Sequence, residues 1–264
     1  MGVTGALCET CAVSTLAIVQ ARMSSSRFPG KVLAPLAGEP MIIRQLERIG
    51  RAETLDGIVV ATSEDATDDQ LVRVLEDNGI EVVRGDLTDV LARFITVIDR
   101  FEPTTVVRLT ADCPLTSPMV IDRVVARFDE GDHDYVSNTM TPTYPDGLDV
   151  EVVKASVLRE VALLTTDRDE REHVTLGVYR RPDQYRIGNV VGDGDLSSLR
   201  WTVDTPEDYA FVSAVYDELY PANPLFDFSD VLAYLERHPE RSRTEADAVR
   251  NAALEGLDTG AMNA

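Results

Sequence analysis

Histidine, tryptophan and cysteine are scarce: three His, one Trp and three Cys in 264 residues. The cysteines, Cys8, Cys11 and Cys113, show no framework spacing, which excludes a disulfide-stapled scaffold and makes a reducing, cytoplasmic setting the expectation. Cys8-Glu9-Thr10-Cys11 has the C-x-x-C spacing without a second ligand pair, so a metal or redox role for it is not expected. Apolar runs stop after a few residues, far short of the roughly 20 that a spanning helix needs, and no membrane partner is expected. Met1 to Ser14 has neither a cationic start nor a long apolar stretch, so no secretory leader is expected there. Positive charge is short as well. There are 25 Lys and Arg against 46 Asp and Glu, a net charge of −21. Such a surface repels a phosphate backbone, which excludes nonspecific nucleic-acid binding. It leaves room for a local basic pocket that takes a small phosphate ligand.

What the chain does have is an ordinary globular share of apolar residues, 44%, recurring in regular runs. Short buried strands are predicted at Leu16–Val19, Gly57–Thr62, Ile80–Val83 and Thr105–Leu109. Helix-period segments alternate with them at Met41–Ile49, Thr67–Asn78 and Thr88–Phe101, and Ser117-Pro118 opens a fourth helix. Strands that read as continuous apolar runs belong to a parallel sheet covered on both faces, with ligands at the carboxyl ends of its strands. The fold class is therefore α/β. The second half departs from this rhythm. Strands are expected at Asp134–Ser137, Leu148–Val153, Tyr185–Val190 and Leu199–Val203, and helices at Ala155–Leu164, Asp169–Arg180, from Thr205-Pro206 onward and at Ser229–Arg237. The expected organisation is an extension over 1–15, one domain over 16–239 with a distinct subregion at 134–190, and a polar tail over 240–264.

Three features carry candidate chemistry. The loop after the first strand, Gln20 to Lys31, gathers Arg22, Arg27 and Lys31 with three serines and a Pro-Gly pair. Backbone N–H groups and cations in such a loop bind anionic oxygens. A surface loop whose cations pair with local acids fits the composition equally well. The loop matches neither the P-loop nor the G-x-G-x-x-G pattern. Asp112 and Asp204 each stand just past an apolar strand, where a carboxylate is costly unless exposed or paired. Each alone fits a capping or turn residue. Together, facing a basic loop, they suit a hard divalent cation that bridges phosphate oxygens.

The loop Q-A-R-M-S-S-S-R-F-P-G-K resembles that of the sugar-activating cytidylyltransferases, and the chain as a whole resembles their SpsF-type branch. The likeness is carried by the blocks Arg108 to Leu115, Asp134 to Asn138, Tyr144 to Val152, Glu170 to Thr175 and Leu199 to Asp208, and spans about Leu16 to Pro239. It implies a nucleotide-diphospho-sugar transferase fold, Rossmann-like and GT-A-like: a mostly parallel sheet with helices on both faces and a smaller β excursion in the second half. It implies that an acceptor attacks CTP with release of pyrophosphate. By the same resemblance Arg22 and Lys31 hold the triphosphate with help from Arg27, and Asp112 and Asp204 hold Mg²⁺. The base pocket is implied at Ala21, Thr62 and Ser63, and the acceptor at Tyr144, Asp146, Glu172 and His173. A homodimer through residues 134–190 is implied too. The resemblance names no acceptor. An acidic sugar leads, and a phosphonate or polyol phosphate stays open, because Ala111-Asp112-Cys113-Pro114 stands where the octulosonate enzymes have Gly-Asp-Glu-Pro. A GT-A glycosyltransferase using a nucleotide sugar, and an inactive nucleotide-binding scaffold, are the alternative readings. The loop is expected to be a surface element, so that losing Lys31 spares the fold. Trp201, alternating with Leu199 and Val203, reads as core.

Overall fold

The computed structural model describes residues 14–244. The first half runs β1 (Thr15–Gln20), a two-residue hairpin of β2 (Pro35–Leu36) and β3 (Glu39–Pro40), α1 (Met41–Ile49), β4 (Gly57–Ser63), α2 (Asp69–Asp77), β5 (Glu81–Gly85), α3 (Val90–Phe101), β6 (Thr105–Thr110) and α4 (Pro118–Asp129). The second half adds β7 (Tyr135–Ser137), β8 (Glu151–Lys154), α5 (Ala155–Leu164), α6 (Arg168–Glu172), α7 (Leu176–Tyr179), β9 (Ile187–Asn189), α8 (Pro206–Leu219) and α9 (Phe228–Arg237).

Seven strands form one sheet in the order β5-β4-β1-β6-β8-β7-β9. β1 is parallel to both β4 and β6, β4 to β5, and β7 to β9, while β8 runs antiparallel to β6 and β7. The chain moves outward from β1 to β4 and β5, then crosses back to β6. Right-handed crossovers put α1 and α2 on one face and turn α3 onto the other. The side chains show this. Ala17 and Val19 of β1 pack with Ile42, Leu46, Leu71 and Leu75 on one side, and Leu16 and Ile18 pack with Phe94, Ile98 and Leu158 on the other. β1 is thus buried on both faces, which is why it reads as an unbroken apolar run. The order reverses between β1 and β6, and the loops after these two strands flank the crevice that such a reversal opens.

Three expected elements come out differently. The helix expected at Asp169–Arg180 splits into α6 and α7, because Val174 between them takes φ 50°, a left-handed conformation costly for a β-branched residue. Leu199–Val203 forms no strand. Its amides go to three separate segments: Arg200 N to Arg243 O at 2.9 Å, Trp201 N to Asp146 O at 2.6 Å and Val203 N to Asp112 O at 2.8 Å, so no ladder can build. β8 begins only at Glu151, because the side chain of Asn138 takes the place of a ladder partner, bonding Leu148 O at 2.8 Å and Val150 N at 2.9 Å. Trp201 is fully buried and packs against Phe228, as a core residue should. Cys8, Cys11 and residues 245–264 lie outside the described residues.

Candidate active site

The loop after β1 is folded back on itself and anchored. Asp68, fully buried, accepts from Met23 N at 2.7 Å, and Gly30 N donates to Met23 O at 3.0 Å. Gly30 has φ 75°, a turn open to glycine at little cost, and a 3₁₀ turn follows at Lys31–Leu33. This turn drives Lys31 inward. The expectation that Lys31 is a surface residue is therefore corrected: it is 8% exposed. Its ammonium donates to Val203 O at 2.7 Å, Asp204 Oδ1 at 3.0 Å and Asp112 Oδ2 at 3.3 Å, which uses all three of its protons. Burial works against the charge, and the two carboxylates outweigh it, so the Lys31 pKa lies above its ordinary 10.5. Asp112 is the mirror case. Burial raises its pKa, while the Lys31 charge and the Thr110 hydroxyl, 2.6 Å away, bring it below the usual carboxylate range.

Asp204 is held more tightly still. Arg27, half-exposed at the loop's outer end, reaches its Oδ2 at 3.0 Å. Arg200, 2% exposed, reaches the same oxygen at 2.7 Å, Asp146 at 2.8 Å and Asp208 at 3.4 Å. Asp208 closes the capping box that starts α8, and its carboxylate accepts from the amides of Asp204 and Thr205, each at 3.0 Å. Gly147 makes the close approach of Asp146 possible: at φ 108° a Cβ there would sit 2.7 Å from Thr202 N.

These groups border a cleft of about 400 Å³ at the carboxyl ends of β1 and β6. It is lined by Ala21, Arg22, Arg27, Lys31, Asp112, Asp146, Glu172, His173 and Asp204 among the residues expected from sequence. Three expected residues are not in its lining. Thr62 and Ser63 are fully buried, and their hydroxyls are spent on Asp68 Oδ2. Tyr144 is 4% exposed, with its ring against Phe228 in the core. The cleft also holds residues that the sequence reading passed over: Arg93, Arg108, Asp149, Glu151 and Arg200. Arg108 was findable as a lone cation inside an apolar strand. The role of Arg200 had a weaker local signal, its spacing of four from Asp204.

Cations and acids are balanced at six each along this lining, in a chain whose net charge is −21. An anion meets no net repulsion there. The α6 side of the cleft is set by a buried network: Arg108 pairs with Glu151 and donates to Gln20 Oε1 at 3.1 Å, while Glu151 accepts from Tyr135 at 2.7 Å and Thr175 at 2.5 Å. His173 stands beside it. Burial, then the Arg108 charge, lower its pKa below 6.5, so the imidazole is neutral at pH 7. Burial also pushes the Cys113 thiol well above its ordinary value, followed by the adjacent Asp112 charge, so it offers no thiolate.

Among the described residues no three His, Cys, Asp or Glu side chains are grouped to hold a metal by themselves. Asp112 and Asp204, sharing one ammonium, present two hard oxygen donors side by side. That set fits a cation such as Mg²⁺, which keeps water and takes substrate oxygens for the rest of its shell.

Comparison with known proteins gives the family and the fold. The family described as cytidylyltransferase matches residues 16–244. The spore coat polysaccharide biosynthesis protein SpsF of Bacillus subtilis is 34% identical over 242 residues, 88% of this chain and 98% of that protein. The 3-deoxy-manno-octulosonate cytidylyltransferase of Geobacter sulfurreducens is 36% identical over 112 residues, 42% of this chain and 43% of that enzyme. A solved cytidylyltransferase from Leptospira borgpetersenii superposes with TM-score 0.81 at 26% identity, covering 87% of this chain and 96% of its own.

Proposed function

The chain belongs to the cytidylyltransferase family and is a nucleotidyltransferase, and we propose that it couples CTP to an acidic sugar or a related acceptor, releasing pyrophosphate, in polysaccharide or glycoconjugate synthesis. The observation that carries this reading is the meeting of Lys31 and Arg27 with Asp112 and Asp204 at the rim where the strand order reverses.

In this reaction an acceptor oxygen forms a bond to the α-phosphorus of CTP, and the bond from that phosphorus to the bridging oxygen breaks. Pyrophosphate leaves with the electron pair. The protein's task is to neutralise charge and hold the two reactants in line. Lys31, held at the rim by Val203 O, is the cation for the α-phosphate and would turn a proton from the two carboxylates to it when nucleotide binds, and Arg22 and Arg27 face the outer phosphates. Asp112 and Asp204 would hold Mg²⁺, which when bound withdraws charge from the phosphate oxygens and lowers the pKa of an acceptor hydroxyl. Arg200 keeps Asp204 aimed at the cleft and acts through it. Glu172 and neutral His173, on the α6 side, offer hydrogen bonds to acceptor hydroxyls. Asp146 is tied to Arg200 and serves the acceptor wall by position.

The test is pyrophosphate release with each of the four NTPs against a panel of acidic sugars, sugar phosphates and phosphonates. Release with CTP and an acidic sugar is expected. A stronger response to another NTP, or none to any acceptor, would overturn the assignment.

A further inference from the structure

We propose that Arg93 is a phosphate-binding residue of the nucleotide site, working with Arg22; this rests on reading the cleft as a nucleotide site. Arg93 lies on α3, is 2% exposed and lines the cleft. Its stem is accounted for. It packs on Gly85, where an added Cβ would come within 3.2 Å of it. Its charge is not accounted for. Among the described residues its side chain makes no hydrogen bond and no ion pair, and its Nε is buried without a partner.

The contrast with the other buried cations is sharp. Lys31, Arg44, Arg48 and Arg200 are buried as deeply or nearly so, and each is paired with a carboxylate. A buried unpaired charge is costly, and folding alone gives no reason to keep one. The acids that act on Arg93 are Asp68, Asp86 and Asp89, and among the described residues none of them forms an ion pair with its guanidinium. Asp68 is already committed to Met23 N, Thr62 and Ser63. After burial, the largest influence on Arg93 is the repelling charge of Arg22, which faces the same cleft. Two guanidinium groups that repel each other at a cleft wall are satisfied together by an anion with many oxygens. A carboxylate offers two oxygens and one charge. A triphosphate offers enough for both arginines and for Lys31.

Arg93→Met keeps the stem and removes the charge. Purified full-length wild type and variant would be titrated calorimetrically with inorganic tripolyphosphate, with CTP plus Mg²⁺ and with cytidine, and melted without ligand. The variant is expected to lose about tenfold or more in affinity for tripolyphosphate and CTP, to bind cytidine as the wild type does, and to melt no lower than the wild type. Arg93→Lys is expected to recover part of the tripolyphosphate affinity. Unchanged tripolyphosphate affinity in Arg93→Met would overturn the proposal, as would a lowered melting point with unchanged affinity, the mark of a purely structural residue. If Arg93→Met misfolds, Arg93→Lys decides: its tripolyphosphate affinity must fall, and equality with wild type counts against the proposal. The outcomes separate from the functional reading. Loss of tripolyphosphate binding in a protein that turns over no CTP leaves Arg93 standing and removes that reading. Turnover of CTP with tripolyphosphate binding indifferent to Arg93 does the reverse.

Discussion

Arg200 and Asp204, four positions apart, are locked together at 2.7 Å, and the same guanidinium holds Asp146 at 2.8 Å and Asp208 at 3.4 Å. One buried cation thus fixes three carboxylates, of which Asp204 is the one paired with Lys31. Arg200→Ala leaves those acids without their shared partner. The expected cost is about 3–5 kcal/mol of stability, as for breaking other buried pairs, read by urea denaturation. A loss well under 1 kcal/mol would mean that the hub is solvated more than its burial indicates.

Lys31→Ala should lower turnover by about 10²–10³-fold, the scale of losing one donor aimed at developing charge. It should also lower the melting temperature, because Asp112 and Asp204 would face each other without the ammonium. Added Mg²⁺ should then raise the melting temperature more in the variant than in wild type. Thermal melts with and without the ion check this, and equal shifts in the two proteins would count against a shared cation site.

Asp112→Asn and Asp204→Asn should each abolish Mg²⁺-dependent pyrophosphate release while circular dichroism stays native. Each removes one hard anionic donor from a set of two. Full activity of either variant at limiting Mg²⁺ would remove that residue from the ion's shell.

His173 gives the pH dependence. Its native pKa lies below 6.5, chiefly through burial. As pH falls below 6.5 the unfolded chain takes up a proton that the native state resists, so stability declines from there until the native pKa is passed. Asp112 adds a second loss in stronger acid, since its depressed pKa contributes stability that is present above the ordinary 3.8 and lost as pH falls through the native value. Melting temperature against pH for wild type and His173→Phe is the measurement. The variant's curve should be flatter just below pH 6.5, and parallel curves would show that the imidazole is solvated in the native state.

The elements that the sequence revealed best are those whose burial is one-sided or complete and local. α1 falls at Met41–Ile49 and α5 at Ala155–Leu164 as their periodicity predicts, and β1 stands out because both its faces are covered. The break at Val174 could not be read, because a left-handed valine is imposed by packing from outside its own segment. Leu199–Val203 alternates like a strand, yet its amides answer to Asp112, Asp146 and Arg243, residues far away in the chain. Thr62 and Ser63, expected at a base pocket, are the last residues of β4, and a buried acid six and five positions on takes their hydroxyls.

The sequence by itself determined the layered α/β plan, the acidic surface, and the presence of a cationic loop and two strand-end aspartates. Those follow from residue type and short-range order, which the chain carries locally. Only the tertiary structure decided that Lys31 lies inside rather than on the surface, and that Arg200 governs Asp204. It alone left Arg93 buried with no acid beside it. Each of these depends on which distant segments share a few ångströms of low-dielectric space, and there the pairing of charges is set by three-dimensional proximity and burial together.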